Sequence, residues 1–140
     1  MLTIKFDARN FFKPKAITKR LGRAKRKAMS KIGAYIRRTA RSSIRRRKRI
    51  SKPGSPPSSQ TGRLKKIIFQ YRKSTDSVIV GPQAFNTPKI PGVLEHGGRA
   101  KIGKGKKRRA AMFKARPFMG PALDKELRNK RLMDAWANVL

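Results

Sequence analysis

Apolar residues recur with helical spacing through the first third of the chain. Ile17, Leu21, Ala24, Ala28, Ile32, Tyr35 and Thr39 follow one another at steps of four, three, four, four, three and four. At 100° per residue they form one stripe, the mark of an amphipathic helix docked by a single face. Pro14 suits the first turn, where its missing N–H costs nothing, and the pattern predicts a helix over residues 14–46. Lys19, Arg20, Arg23, Arg26, Lys27, Arg37, Arg38 and Arg41 fall on the other side. Arg46 returns to the apolar stripe, so docking is expected to stop before it. Ahead of the helix, residues 2–6 alternate apolar and polar as a short strand does, and residues 7–13 read as a connector.

The period then changes. Residues 52–62 are rich in Pro, Ser and Gly and read as a loop. Leu64–Tyr71 reads as a strand with Ile67, Phe69 and Tyr71 on one face. Residues 73–76 make a turn, and Ser77–Gly81 is a second strand, together a hairpin. Residues 82–92 form a proline-bearing loop, and Val93–Gly98 a short extended element ended by glycines. Residues 99–109 hold seven basic residues and two glycines, as expected of a basic hairpin tip, with 110–113 as the returning strand. Residues 115–119 are extended because Pro117 disfavours helix at Arg116. Pro121 opens a last helix to about residue 138. Its apolar residues do not share one stripe, which predicts a bend near Asn129 or a second contact surface. The expected fold is a single α+β domain over residues 1–140. A long N-terminal helix packs on a small, mostly antiparallel sheet of about four strands, with a C-terminal helix at the edge. Residues 50–62 and 99–109 are expected to be flexible. The expected interior is Ile17, Leu21, Ala28, Ile32, Tyr35, Ile67, Phe69, Val78, Val80, Phe118 and Leu123.

Charge sharpens this picture. Among 140 residues, 39 are Lys or Arg and six are Asp or Glu, giving a formal net charge of +33. A small domain with that charge repels itself and gathers polyanions. Its sequence pI near 12.0 lies in the range of nucleic-acid-binding domains. There is no Cys, which removes disulfides, thiolate metal sites and Cys nucleophiles. No apolar run approaches the length of a membrane span, and the N-terminus lacks the apolar region of a secretory signal. A cytoplasmic site of synthesis is expected, without membrane contact.

Candidate chemistry is sparse. Glu95 and His96 are adjacent, and neighbours in an extended segment face opposite ways, so they read as a structural polar pair. Six scattered acids and one His do not form a metal-ligand cluster. The Gly- and Lys-rich run 97–107 lacks the spacing of a phosphate-binding loop. No enzyme activity, metal or cofactor is expected. The basic face of the long helix has few Asn or Gln to read bases, a pattern that favours phosphate contacts without sequence choice. The strongest nucleic-acid-facing candidates are Arg45, Arg46, Arg47, Lys48 and Arg49 after the helix, and Lys104, Lys106, Lys107, Arg108 and Arg109 at the basic tip.

Val93-Leu94-Glu95-His96-Gly97-Gly98, followed by Ala115-Arg116-Pro117-Phe118-Met119-Gly120-Pro121-Ala122-Leu123, resembles the tail-completion (neck, minor tail) proteins of long-tailed bacteriophages. Thr61-Gly62-Arg63-Leu64 and Val78-Ile79-Val80-Gly81-Pro82 look similar too, as does the order of elements. His96 departs from the aromatic residue more usual there, and the charge is far higher than the family's. The resemblance implies a non-enzymatic virion protein, assembled in the host cytoplasm, that completes the tail and joins it to the head. It would form a closed ring of six or twelve copies around the DNA channel, in contact with neighbouring neck and tail proteins. Gly81, Glu95, His96, Gly97, Arg116, Pro117, Phe118 and Pro121 would carry structure and assembly. DNA would be met by non-specific phosphate contact. The alternative is a ribosomal-type or nucleoid-type basic nucleic-acid-binding protein.

Overall fold

The computed structural model describes residues 14–83, 89–103 and 109–137. Helix α1 spans Pro14–Ser43. A single 3-10 turn, Arg63–Lys65, precedes strand β1 (Ile67–Arg72), which pairs with β2 (Ser77–Pro82). Helix α2 (Lys89–His96) leads into β3 (Gly98–Ile102) and β4 (Arg109–Phe113), and α3 (Met119–Arg128) and α4 (Arg131–Ala137) follow. The class is α+β, as the pattern predicts. The strands do not form one sheet. They make two separate antiparallel hairpins, β1–β2 with Ile67 opposite Pro82 and β3–β4 with Gly98 opposite Phe113. Alternation and turn residues predict each hairpin but carry no signal for pairing between them. The expected strand at residues 2–6 lies outside the described residues.

Three local expectations change. Leu64 sits in the 3-10 turn rather than in β1. Helix α2 begins at Lys89, inside the expected 82–92 loop, so Val93–His96 is helical and not extended. Helix α1 stops at Ser43, short of residue 46. Ser42 and Ser43 turn their hydroxyls back onto the carbonyls of Thr39 and Ala40, a local alternative to continued helix. The bend near Asn129 is present, with Lys130 at φ 56° between α3 and α4.

The core gathers at the C-terminal end of α1. Ala40, Ile44, Leu64, Ile67, Phe118 and Ala122 are buried together, with Val80, Leu94 and Met119 against them. Ile44 leaves the helix and seals this cluster, and the Ser59 amide then binds the Arg45 carbonyl. The 50–62 segment lies against the body. Ser51, Pro57 and Ser59 are buried, the Gly54 amide donates to the Ala115 carbonyl, and Gln60 Nε2 donates to the Lys48 carbonyl. Helix α1 also packs on β1, β2 and α4. A Cβ on Gly33 would stand 2.7 Å from Val78 Cγ1 and 3.0 Å from Phe69 Cδ2. The missing side chain is what lets the hairpin seat on the helix.

Ala28, Ile67 and Phe118 are buried as expected, and Ile32, Tyr35, Phe69, Val78 and Val80 are half-buried. Ile17, Leu21 and Leu123 are not: they are 48%, 55% and 40% exposed. With 30 residues α1 is about 45 Å long, whereas a six-residue strand covers about 20 Å. The first turns of α1 therefore overhang the elements that follow. On α3, Ala122 and Glu126 take the inner face in place of Leu123.

Ile44→Ala should destabilise the protein by about 2–5 kcal/mol, measured by urea unfolding. Leu21→Ala should change it by under about 0.5 kcal/mol. Gly33→Ala should cost about 1–3 kcal/mol by overpacking.

Candidate nucleic-acid interface

Residues 93–98 and 115–123 close into one junction. Helix α3 has no acidic residue in its first turn and no side-chain cap of its own. Glu95, at the end of α2, supplies both. Its Oε2 accepts from the amides of Phe118 (2.9 Å) and Met119 (3.1 Å), and its Oε1 from that of Gly120 (2.8 Å). The next residue, Pro121, has no N–H. Every orphan donor of the helix start is thus answered or absent, and a carboxylate sits at the positive end of the helix dipole. The Arg116 amide donates to the Leu94 carbonyl, its Nε to the Ser51 carbonyl (3.0 Å) and its Nη1 to that of Lys114 (3.2 Å). Phe118 is 1% exposed. Gly97 turns at φ 80°, where a Cβ would meet Phe113 O and Ala115 N at 3.3 Å. Gly81 lies in β2 with open space around it, and Pro117 is half-buried. His96 is exposed, while the Glu95 carboxylate is engaged by backbone amides. Among the described residues, no group of three or more His, Asp or Glu stands together as metal ligands do.

Two more acids bridge elements, Asp76 at the surface and Glu126 in the interior, while Asp124 and Asp134 are exposed. Asp76 accepts from Lys25 Nζ and from the Tyr71 hydroxyl, each at 2.5 Å. The Lys25 bond, then that of Tyr71, holds the Asp76 carboxyl below its ordinary 3.8. The same bonds raise Lys25 and Tyr71 above their usual values. Glu126 is fully buried, accepts from the Thr39 hydroxyl, and lies 3.5 Å from Arg131 Nη1.

The basic surface is left largely without acids. Along α1 runs an open groove in two parts. The first, of about 510 Å³, is lined by Arg23, Arg26, Lys27, Ser30, Lys31 and Ala34. The second, of about 490 Å³, is lined by Ala34, Arg37, Arg38, Arg41, Ser42 and Lys65. Shared Ala34 joins them into one track along the helix, bordered by Lys65 of the 3-10 turn. Arg45, Arg46, Arg47, Lys48 and Arg49 are exposed after the helix end, with Arg47 Nε on Ser58 Oγ at 2.9 Å. A third groove, of about 390 Å³, brings Lys48 and Arg49 together with Met112, Phe113, Lys114 and Arg116. The post-helix cluster and the end of β4 thus share one surface. Arg109 is exposed at the start of β4; Lys104, Lys106, Lys107 and Arg108 lie outside the described residues. Lys31, Lys65 and Lys114 were not singled out in the sequence. Lys65 and Lys114 reach the grooves through tertiary packing alone. Lys31 shares the track of Lys27 at helical spacing, a signal the pattern does contain.

Compared with known proteins, the chain matches no family model, no curated protein and no solved structure.

Glu95→Ala should destabilise the protein by about 2 kcal/mol or more, with faster amide exchange at residues 118–120, and Glu95→Gln should lose less. The Asp76 contribution is complete above the ordinary carboxylate range and is lost as pH falls through its lowered value. Asp76→Asn should therefore flatten the loss of stability below about pH 4 and leave the slope near neutrality unchanged, as read by urea midpoints against pH.

Proposed function

We propose that this chain is a structural virion protein of the phage neck, which completes the tail and joins it to the head as a closed ring around the DNA channel. The role is assembly and DNA passage, without catalysis, metal or cofactor. The observation that carries this reading is the junction at Glu95. The residues that resemble the tail-completion family are the ones that lock α2 and the segment entering α3 together, from Leu94 and Glu95 to Arg116 and Phe118.

Two further features support it. A ring needs a heterologous interface that closes on itself, and the subunit carries apolar surface for one. Ile17 and Leu21 stand exposed one turn apart on the overhang of α1, and Leu123 and Leu127 are exposed one turn apart on α3. In a ring, the basic surfaces of all copies recur as bands. Bringing such bands together costs repulsion unless an anion lies between them, and DNA in a channel supplies it. Neighbouring neck and tail proteins would cap the two faces of the ring.

Reconstruction of the head–tail junction of particles that contain the chain should place six or twelve copies in one ring. A single monomeric copy per particle, or recovery of the chain with ribosomal subunits and a preference for structured RNA, would contradict the proposal.

A further inference from the structure

The grooves along α1 are more than a solvated basic face, because their arginines are held in place by groups other than carboxylates. The Arg26 guanidinium lies 5.5 Å from the centroid of the Tyr71 ring and that of Arg38 lies 5.7 Å from that of Tyr35, both within cation–π range. Arg37 Nε donates to the Ile67 carbonyl at 2.8 Å. None of the three is in a salt bridge among the described residues. An aromatic face takes the flat side of a guanidinium and leaves its N–H edge free. Side chains ordered before binding lose less entropy on binding, and a planar fork presents paired donors to a phosphate.

Small residues lie between these cations. Ser30 and Ala34 are one turn apart and both line the groove. At 100° per residue, the cations from Arg23 to Arg41 spread over an arc of roughly 140° with Ser30 and Ala34 near its middle. Arg26 and Arg37 stand on one flank, Lys27, Lys31 and Arg38 on the other. The stretch from Arg23 to Arg41 is about 27 Å long, room for several phosphates at the axial spacing of about 3.4 Å per strand in duplex DNA. Among the described residues, the lining holds no large apolar side chain, whereas a protein partner would need buried apolar anchors. Among those same residues there is no Asn or Gln to read base edges.

We infer that α1 carries a phosphate track that seats one backbone strand of duplex DNA between two rows of cations, as a binding site separate from the Arg45–Arg49 cluster. This rests on the reading that the chain works against DNA, and it names the helix face that does so.

Two measurements test it. The combined variant Lys27→Gln, Lys31→Gln, Arg38→Gln, Arg41→Gln keeps good helix formers and leaves Arg37 on its carbonyl. Binding to a random-sequence duplex, measured by anisotropy against salt, should lose up to about 0.9 of slope per phosphate contact removed. A flattening of more than one unit, toward about three, is expected with helical content unchanged; a smaller change overturns the proposal. The second measurement uses the unaltered chain and so does not depend on how the variant folds. Duplex DNA should protect Lys27, Lys31 and Lys65 from acetylation while Lys73 and Lys130, exposed on turns, stay reactive. Equal reactivity at all five, or protection by polyglutamate but not by DNA, would overturn it. These results are independent of the ring: a missing ring leaves the footprint unchanged, and a missing footprint leaves the ring standing.

Discussion

A chain with 39 cations and six acids must fold against its own repulsion, and where it places those acids governs the rest. Three of them close seams between elements far apart in sequence. Asp76 ties the β1–β2 turn to Lys25 on α1. Glu95 ties α2 to the start of α3. Glu126 ties α3 to Thr39 on α1 and to Arg131 on α4. Glu95 and Glu126 are worth more in such places than on the surface; the Asp76–Lys25 pair is itself exposed, and exposed ion pairs contribute little. The consequence is a surface that keeps nearly all of its positive charge. Internal cohesion and external demand for an anion are therefore two sides of one allocation.

That allocation compensates for a small core. Large apolar side chains are concentrated where α1 ends, around Ile44, Ile67 and Phe118. Farther along the helix, close approach through Gly33 and Ala28 replaces bulk. The loop at 50–62 contributes by seating Ser51 and Pro57 against the body, and Arg116 serves as a clamp on the Ser51 carbonyl rather than as a phosphate ligand. A basic residue in this chain is thus not automatically an anion contact. Arg116 and Arg37 both use guanidinium donors on backbone carbonyls.

Much of the fold was legible because its signals are local. The period of α1, the turn residues at 73–76 and the clash of apolar phases around Asn129 each act within a few residues. What was not legible depends on partners distant in sequence. Nothing in the spacing of Ile17 and Leu21 shows that later elements are too short to reach them. Nothing beside Glu95 shows that its carboxylate will cap a helix that starts at Met119, although the lack of a capping side chain at Phe118 is visible. The post-helix cluster was evident as a charge run. The track on α1 was visible only as a basic face, because the seats of Arg26 on Tyr71 and Arg37 on Ile67 are tertiary. Tyr35 and Arg38, three apart, were within reach of helical spacing alone.

The central claim is that the uncompensated surface charge is complementary to nucleic-acid phosphate. The most direct test is the melting temperature of the purified chain at low salt, with and without random-sequence duplex DNA. A ligand that binds the folded state stabilises it by RT ln(1 + [L]/Kd), and phosphate contacts weaken steeply with salt. The account predicts a rise in Tm with duplex concentration that is independent of sequence and vanishes near 1 M salt, where the Debye length is about 3 Å. A Tm that duplex DNA leaves unchanged, while an acidic polypeptide raises it, would contradict the account.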